Sequence, residues 1–164
     1  SARLPHHTTC DPTPPEARPT SNSGNRKASV IWNGKLTDGT GTMSTESGVL
    51  NDTQYSFRTR FKKGIGTNPD ELIAASLCGC FSMALSNELG LSGLHPHRID
   101  TTAVATLEEL KAGWTLTRID LDVRAKVPKA TQNDFIDAAL TAKTQCPIAR
   151  LLNTNICMTA TLDS

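Results

Sequence analysis

Residues 66–90 read GTNPDELIAASLCGCFSMALSNELG, and this stretch decides the fold. Asn68 is of a type that caps a first helical turn and Pro69 suits the first helical position. Asp70 and Glu71 then place negative charge against the positive end of the helix dipole. Between Glu71 and Glu88 no side chain is charged, so no face of the helix is built for water. Gly90 reads as the stop. The apolar run is too short, and too rich in Ser, Gly and Asn, for a membrane span. The stretch therefore predicts one buried central helix with Cys78 and Cys80 inside it.

Upstream the pattern is strand-like. Residues 28–32 predict a short strand closed by the hairpin signal Asn33-Gly34. Residues 39–45 and 49–51 predict further short strands around a turn. Residues 54–61 alternate, with Tyr55, Phe57, Thr59 and Phe61 on one face and Ser56, Arg58 and Arg60 on the other. Downstream, residues 99–107 alternate again, and residues 114–127 alternate most regularly of all. Such alternation predicts a sheet packed on one side and wet on the other, hence antiparallel. Pro128 ends that strand. Thr131 and Asp134 give a capping-box start to a helix over 132–145, with Phe135, Ile136, Ala139 and Leu140 inward. Cys146-Pro147 breaks it, a short helical piece follows to residue 152, and 155–162 is a final strand. The order predicts an α+β domain with helices on one sheet face.

A chain of 164 residues is one domain's worth, long enough to bury a core. Residues 1–25 stand apart: they hold five of the nine prolines and no apolar period. They predict a disordered tail, which leaves residues 26–164 as the folded domain. The chain opens at Ser1 rather than Met, as a processed or truncated chain would. A cytoplasmic location is expected, with a mitochondrial one as the alternative if the tail is a targeting remnant. A net charge of +1 and 4% aromatic residues give no footprint for nucleic acid or a membrane surface. Five cysteines form no disulfide scaffold, and CxC alone offers two metal ligands at most.

Local physics divides the thiols. Cys80, inside a helix shielded from water, reads as inert. Cys78 and Cys80 differ by about 200° of helix rotation and so face opposite ways. Cys146 caps the short piece that starts at Pro147, where backbone amides and the dipole favour a thiolate; it reads as the more acidic thiol. Cys10 and Cys157 read as incidental. An activated thiolate needs a cation, and Arg58 and Arg60 share a face just before the central helix. His95 and His97 read as loop residues, since two histidines alone make no metal site.

Taken together, Ser44-Thr45-Glu46-Ser47-Gly48-Val49-Leu50-Asn51, Thr59-Arg60-Phe61, Gly66-Thr67-Asn68-Pro69-Asp70-Glu71-Leu72, Cys80-Phe81-Ser82-Met83-Ala84-Leu85 and Cys146-Pro147 resemble the OsmC/Ohr family of thiol peroxidases. The resemblance is strongest to its OsmC (osmotically inducible protein C) branch and covers residues 27–164. It implies antiparallel sheets wrapped around two central helices in an intertwined homodimer. It implies that Cys80 is the peroxidatic cysteine, Cys146 the resolving one, and Arg60 the arginine that holds the thiolate. The acidic partner of that arginine falls at Asp70, where the family has Glu, and the adjacent Glu71 could take its place. The implied reaction reduces organic hydroperoxides through a Cys80–Cys146 disulfide, with a lipoyl-type dithiol as reductant and no cofactor or metal. Cys78 is a departure from the pattern. Ten residues of helix span about 15 Å, so an acid at position 70 cannot touch Cys80 in the same unbroken helix. A site shared by two chains accounts for that spacing best. The rival readings are a thiol-based oxidant sensor or binding protein without efficient turnover, and a structural dimer with buried cysteines.

Overall fold

The central helix, α1, runs over Pro69–Leu91. Asn68 caps it, its side chain accepting the Glu71 backbone N–H at 2.9 Å, and Pro69 stands in the first turn. Replacing Asn68 with alanine should cost about 1 kcal/mol of stability, read as a lower urea midpoint at unchanged slope. At the far end the helix passes through Gly90, one residue beyond the expected stop. Ser92 is its cap, and Gly93, at φ +75°, takes the left-handed turn instead. With 23 residues, α1 is by length and composition apolar enough to cross a membrane, as buried core helices also are. One stripe of it, Leu77, Phe81, Leu85 and Leu89, is fully buried inside its own chain.

The computed structural model describes residues 23–163; the tail expected over 1–25 lies almost wholly outside the described residues. Before α1 come β1 (Ala28–Asn33), β2 (Thr40–Thr45), β3 (Thr53–Tyr55) and a 3-10 turn (Arg58–Arg60). After it come β4 (Arg98–Leu110), β5 (Gly113–Lys126), α2 (Gln132–Gln145), α3 (Pro147–Leu151) and β6 (Asn155–Asp163). The fold is α+β with two three-stranded sheets, ordered β1-β2-β3 and β4-β5-β6.

The core lies where α1 and α2 cover one face of the second sheet. Ile119, Leu121, Val123 and Ala125 of β5 alternate inward and meet Leu77, Phe81, Phe135, Ala139 and Ala142. The opposite face is wet and carries the ion pairs Arg118–Asp120 and Arg124–Asp163. Alternation is regular only from residue 118 onward, because the β4–β5 register shifts between Thr106 and Leu107 and leaves Thr117 without a partner.

Several elements differ from the sequence expectation. β5 and β6 pair in parallel; the sheet is mixed, since α2 and α3 supply the helical crossover that a parallel pair requires. In α2, Leu140 is 50% exposed and Ala142 takes the inward place. Residues 49–51 form a turn rather than a strand. The strand expected over 54–61 stops at Tyr55. There Ser56 and Thr59 bond reciprocally, each backbone N–H donating to the other's hydroxyl at 3.2 and 3.3 Å, and curl the chain into the 3-10 turn.

The helix expected to be wholly buried is covered on one side only. Met83 and Leu91 are 77% and 75% exposed, and Ala75, Gly79, Ser86 and Gly90 share the open side. The first sheet, whose Val30 and Ile31 are exposed, does not cover that side either. Its strands pair with one another and pack broadly on no other element among the described residues.

Candidate active site

Two chemically distinct clusters form on α1. The first is a thiol pair. Cys80, half-buried near the middle of α1, packs against the core group that contains Cys146. Cys146 ends α2 and caps α3; its Sγ accepts the Ala149 backbone N–H at 3.3 Å, and its residue is 1% exposed. This confirms the cap position but reverses its expected consequence. Burial, aided by the neighbouring Cys80, pushes the Cys146 thiol up, against the downward pull of the Ala149 and Ile148 amides. Desolvation outweighs the short helix's dipole, so Cys146 is held as a protonated thiol rather than an acidic one. Cys78 lies on the other side of α1, as its rotation requires. There burial raises its pKa, partly offset by a backbone hydrogen bond at Ala103 of β4.

The second cluster is an arginine–carboxylate pair at the start of α1. Arg60 Nη2 donates to Asp70 Oδ1 at 3.1 Å, with the side chains 25% and 11% exposed. A charge-assisted bond this far from water is stronger and more directional than one on the surface. Glu71 is not the partner: it is exposed, and its Oε2 accepts from the Asn68 side chain at 3.3 Å. Arg60 Nε is buried without a hydrogen-bond partner among the described residues.

The loop that presents Arg60 is braced from both ends. The Thr59 hydroxyl lies 2.7 Å from the Ser56 carbonyl and 2.8 Å from that of Thr67, and Asn68 Nδ2 donates to the Thr59 carbonyl at 2.9 Å. Gly66, at φ +99°, lets the chain return against β3; a Cβ there would lie 1.8 Å from the Gln54 carbonyl oxygen. The sequence reading missed the bracing roles of Thr59 and Asn68, although the Ser-x-x-Thr spacing of 56 and 59 is the signal of such a turn. A cleft of about 330 Å³ opens beside the pair, lined by Arg60, Asp70, Ala74, Ala103 and Ala105.

The structure thus brings Cys80 to Cys146 and Arg60 to Asp70, but keeps the pairs apart. Asp70 and Cys80 sit ten residues apart on one continuous helix, about 15 Å along its axis. Among the described residues, no group of three His, Cys, Asp or Glu side chains is placed to hold a metal.

Known proteins share this arrangement of chain. The family model described as OsmC-like protein matches residues 62–161. Peroxiredoxin OsmC of Escherichia coli (strain K12) is 43% identical over 139 residues, covering 85% of this chain and 97% of that protein, and the same protein of Shigella flexneri matches equally. Among solved structures, an OsmC-like protein of unknown function from Vibrio cholerae superposes with a TM-score of 0.68 at 17% identity, over 84% of this chain and 99% of that one. The organic hydroperoxide resistance protein OhrB of Bacillus subtilis does so with a TM-score of 0.60 at 19% identity, over 84% and 98%. These two likenesses speak for the fold; the curated relatives speak for descent. The chain belongs to the OsmC-like family of cysteine-based peroxidases.

Proposed function

We propose that this peroxidase reduces organic hydroperoxides to alcohols by a two-cysteine cycle. The Cys80 thiolate attacks the distal peroxide oxygen, the O–O bond breaks, and the alkoxide leaves as the alcohol after taking a proton. Cys80 is now a sulfenic acid. The Cys146 thiol attacks its sulfur, forming the Cys80–Cys146 disulfide and releasing water. A lipoyl-type dithiol then reduces the disulfide by exchange and is itself oxidised.

The observation that carries this reading is the unequal thiol pair. Cys80 is only partly buried and so open to a peroxide, while Cys146 stands beside it buried, protonated and unable to meet the substrate first. An apolar recess of about 260 Å³ beside Arg60, lined by Trp32, Leu36, Tyr55 and Phe57, supports a substrate with an alkyl or aryl group. Arg60 is the group suited to the peroxide and the thiolate, because its planar fork donates in two directions at once and Asp70 fixes its orientation. The distance of its partner Asp70 from Cys80 along α1 supports a site completed by the Arg60–Asp70 pair of a second copy. The open side of α1, with Met83 and Leu91, supports the same homodimer.

Intact mass under non-reducing conditions tests the cycle. One equivalent of cumene hydroperoxide should remove two hydrogens from the wild type. Cys146→Ser should instead gain one oxygen. No mass change in the wild type, or an unchanged loss of two hydrogens in Cys146→Ser, would rule the scheme out. Steady consumption of peroxide with dihydrolipoamide separates catalysis from one-time oxidant sensing.

A further inference from the structure

Phe57 and Phe61 directly precede and follow the turn that carries Arg60, and both rings meet Trp114. The ring centroids are 5.2 Å apart for Phe57–Phe61, 5.9 Å for Phe57–Trp114 and 5.0 Å for Phe61–Trp114, in edge-to-face or tilted geometry. These separations are those at which aromatic rings attract one another beyond simple burial. Trp114 is the second residue of β5, opposite Glu109 at the tip of the β4–β5 hairpin. We infer that Trp114 is a positioning residue for Arg60, closing an aromatic clasp that ties the arginine-bearing turn to the hairpin tip.

Three observations support this. The triad is not core: Phe61 and Trp114 are 49% and 42% exposed, so its packing fixes a loop rather than filling the interior. The other anchors of the loop, Thr59, Gly66 and Asn68, hold it from the β3 and α1 sides. Beyond Phe61, residues 62–65 are exposed and irregular, which leaves Trp114 as the brace on the hairpin side. Finally, Arg60 itself meets Asp70 through one bond rather than a two-pronged fork, so where the guanidinium points depends on where the turn is held.

The inference rests on the proposed peroxidase site, and its test separates the two. With cumene hydroperoxide, Trp114→Ala should lower kcat/KM about tenfold, as a misplaced catalytic group does. Trp114→Phe, which keeps a ring at the hairpin tip, should recover most of that loss. In an Arg60→Ala background, Trp114→Ala should change kcat/KM by less than about twofold, because the group it positions is gone. Amide exchange over residues 57–65 should quicken in Trp114→Ala, while the α1 core amides stay as protected as in the wild type. Exchange is readable even if the wild type turns over no peroxide; that result would remove the functional reading and leave the clasp standing. Unchanged exchange over 57–65, or an equal loss of kcat/KM with and without Arg60, would overturn the clasp.

Discussion

Replacing Cys80 with serine should abolish peroxide turnover, a loss of about a thousandfold or more, while the protein stays folded. A hydroxyl at its ordinary pKa is a poor nucleophile without a base to activate it, and α1 carries no histidine and no charged side chain between Glu71 and Glu88. The substitution is nearly isosteric at a half-buried position, so the core of Leu77, Phe81 and Leu85 stays filled. The other cysteines should behave differently, which makes the test specific. Cys146→Ser should keep a first turnover and then fail as the sulfenic acid, with no resolving thiol, oxidises further to sulfinic acid. Cys78→Ser should leave turnover within about threefold, because that side chain faces β4 from the opposite side of the helix. Stopped-flow oxidation followed by steady-state turnover with dihydrolipoamide distinguishes the three variants.

Arg60→Ala carries the second large effect: a loss of about 10²–10³ in kcat/KM, the scale on which removing one aimed donor slows a reaction. Arg60→Lys should recover little of it, since an ammonium cannot bond Asp70 and an oxygen in one plane as a guanidinium can. Asp70→Asn should cost less, about tenfold, because the arginine remains but loses its anchor. Glu71→Gln should be close to neutral, since Glu71 bonds Asn68 and not Arg60. Measuring the four variants over one range of peroxide concentrations separates lost binding from lost chemistry.

The sequence made α1 legible because its signals agree: a capping Asn, a proline in the first turn, two early acids and a long uncharged run. The alternation of β5 from residue 118 was equally readable, because one face is dry and the other wet. The 3-10 turn was not. Tyr55, Phe57, Thr59 and Phe61 alternate as a strand would, and only the reciprocal bonds of Ser56 and Thr59 turn the chain aside. Nor was the direction of β6 readable, since pairing in parallel or antiparallel leaves no mark on nine residues taken alone. The acidity assigned to Cys146 went wrong because a cap position is local, whereas the burial that outweighs it comes from the whole core. The approach of Cys80 and Cys146, 66 positions apart, has no local signature either. It followed from the family resemblance, and the fold now gives its cause: the α2–α3 break lies against the middle of α1.

The open side of α1 connects these points. A helix with no charge between residues 71 and 88 needs cover all round, yet its own chain covers one side. A second copy would cover the other and bring its Arg60–Asp70 pair toward Cys80. Mixed dimers test this most directly. Cys80→Ser and Arg60→Ala chains, each inactive alone, are co-expressed with different tags and assayed together. If each site takes its thiol from one chain and its arginine from the other, half the sites in every mixed dimer are intact. Random pairing should then restore about a quarter of wild-type turnover. Turnover no higher than that of the two parent variants would place both groups in one chain and contradict the shared site.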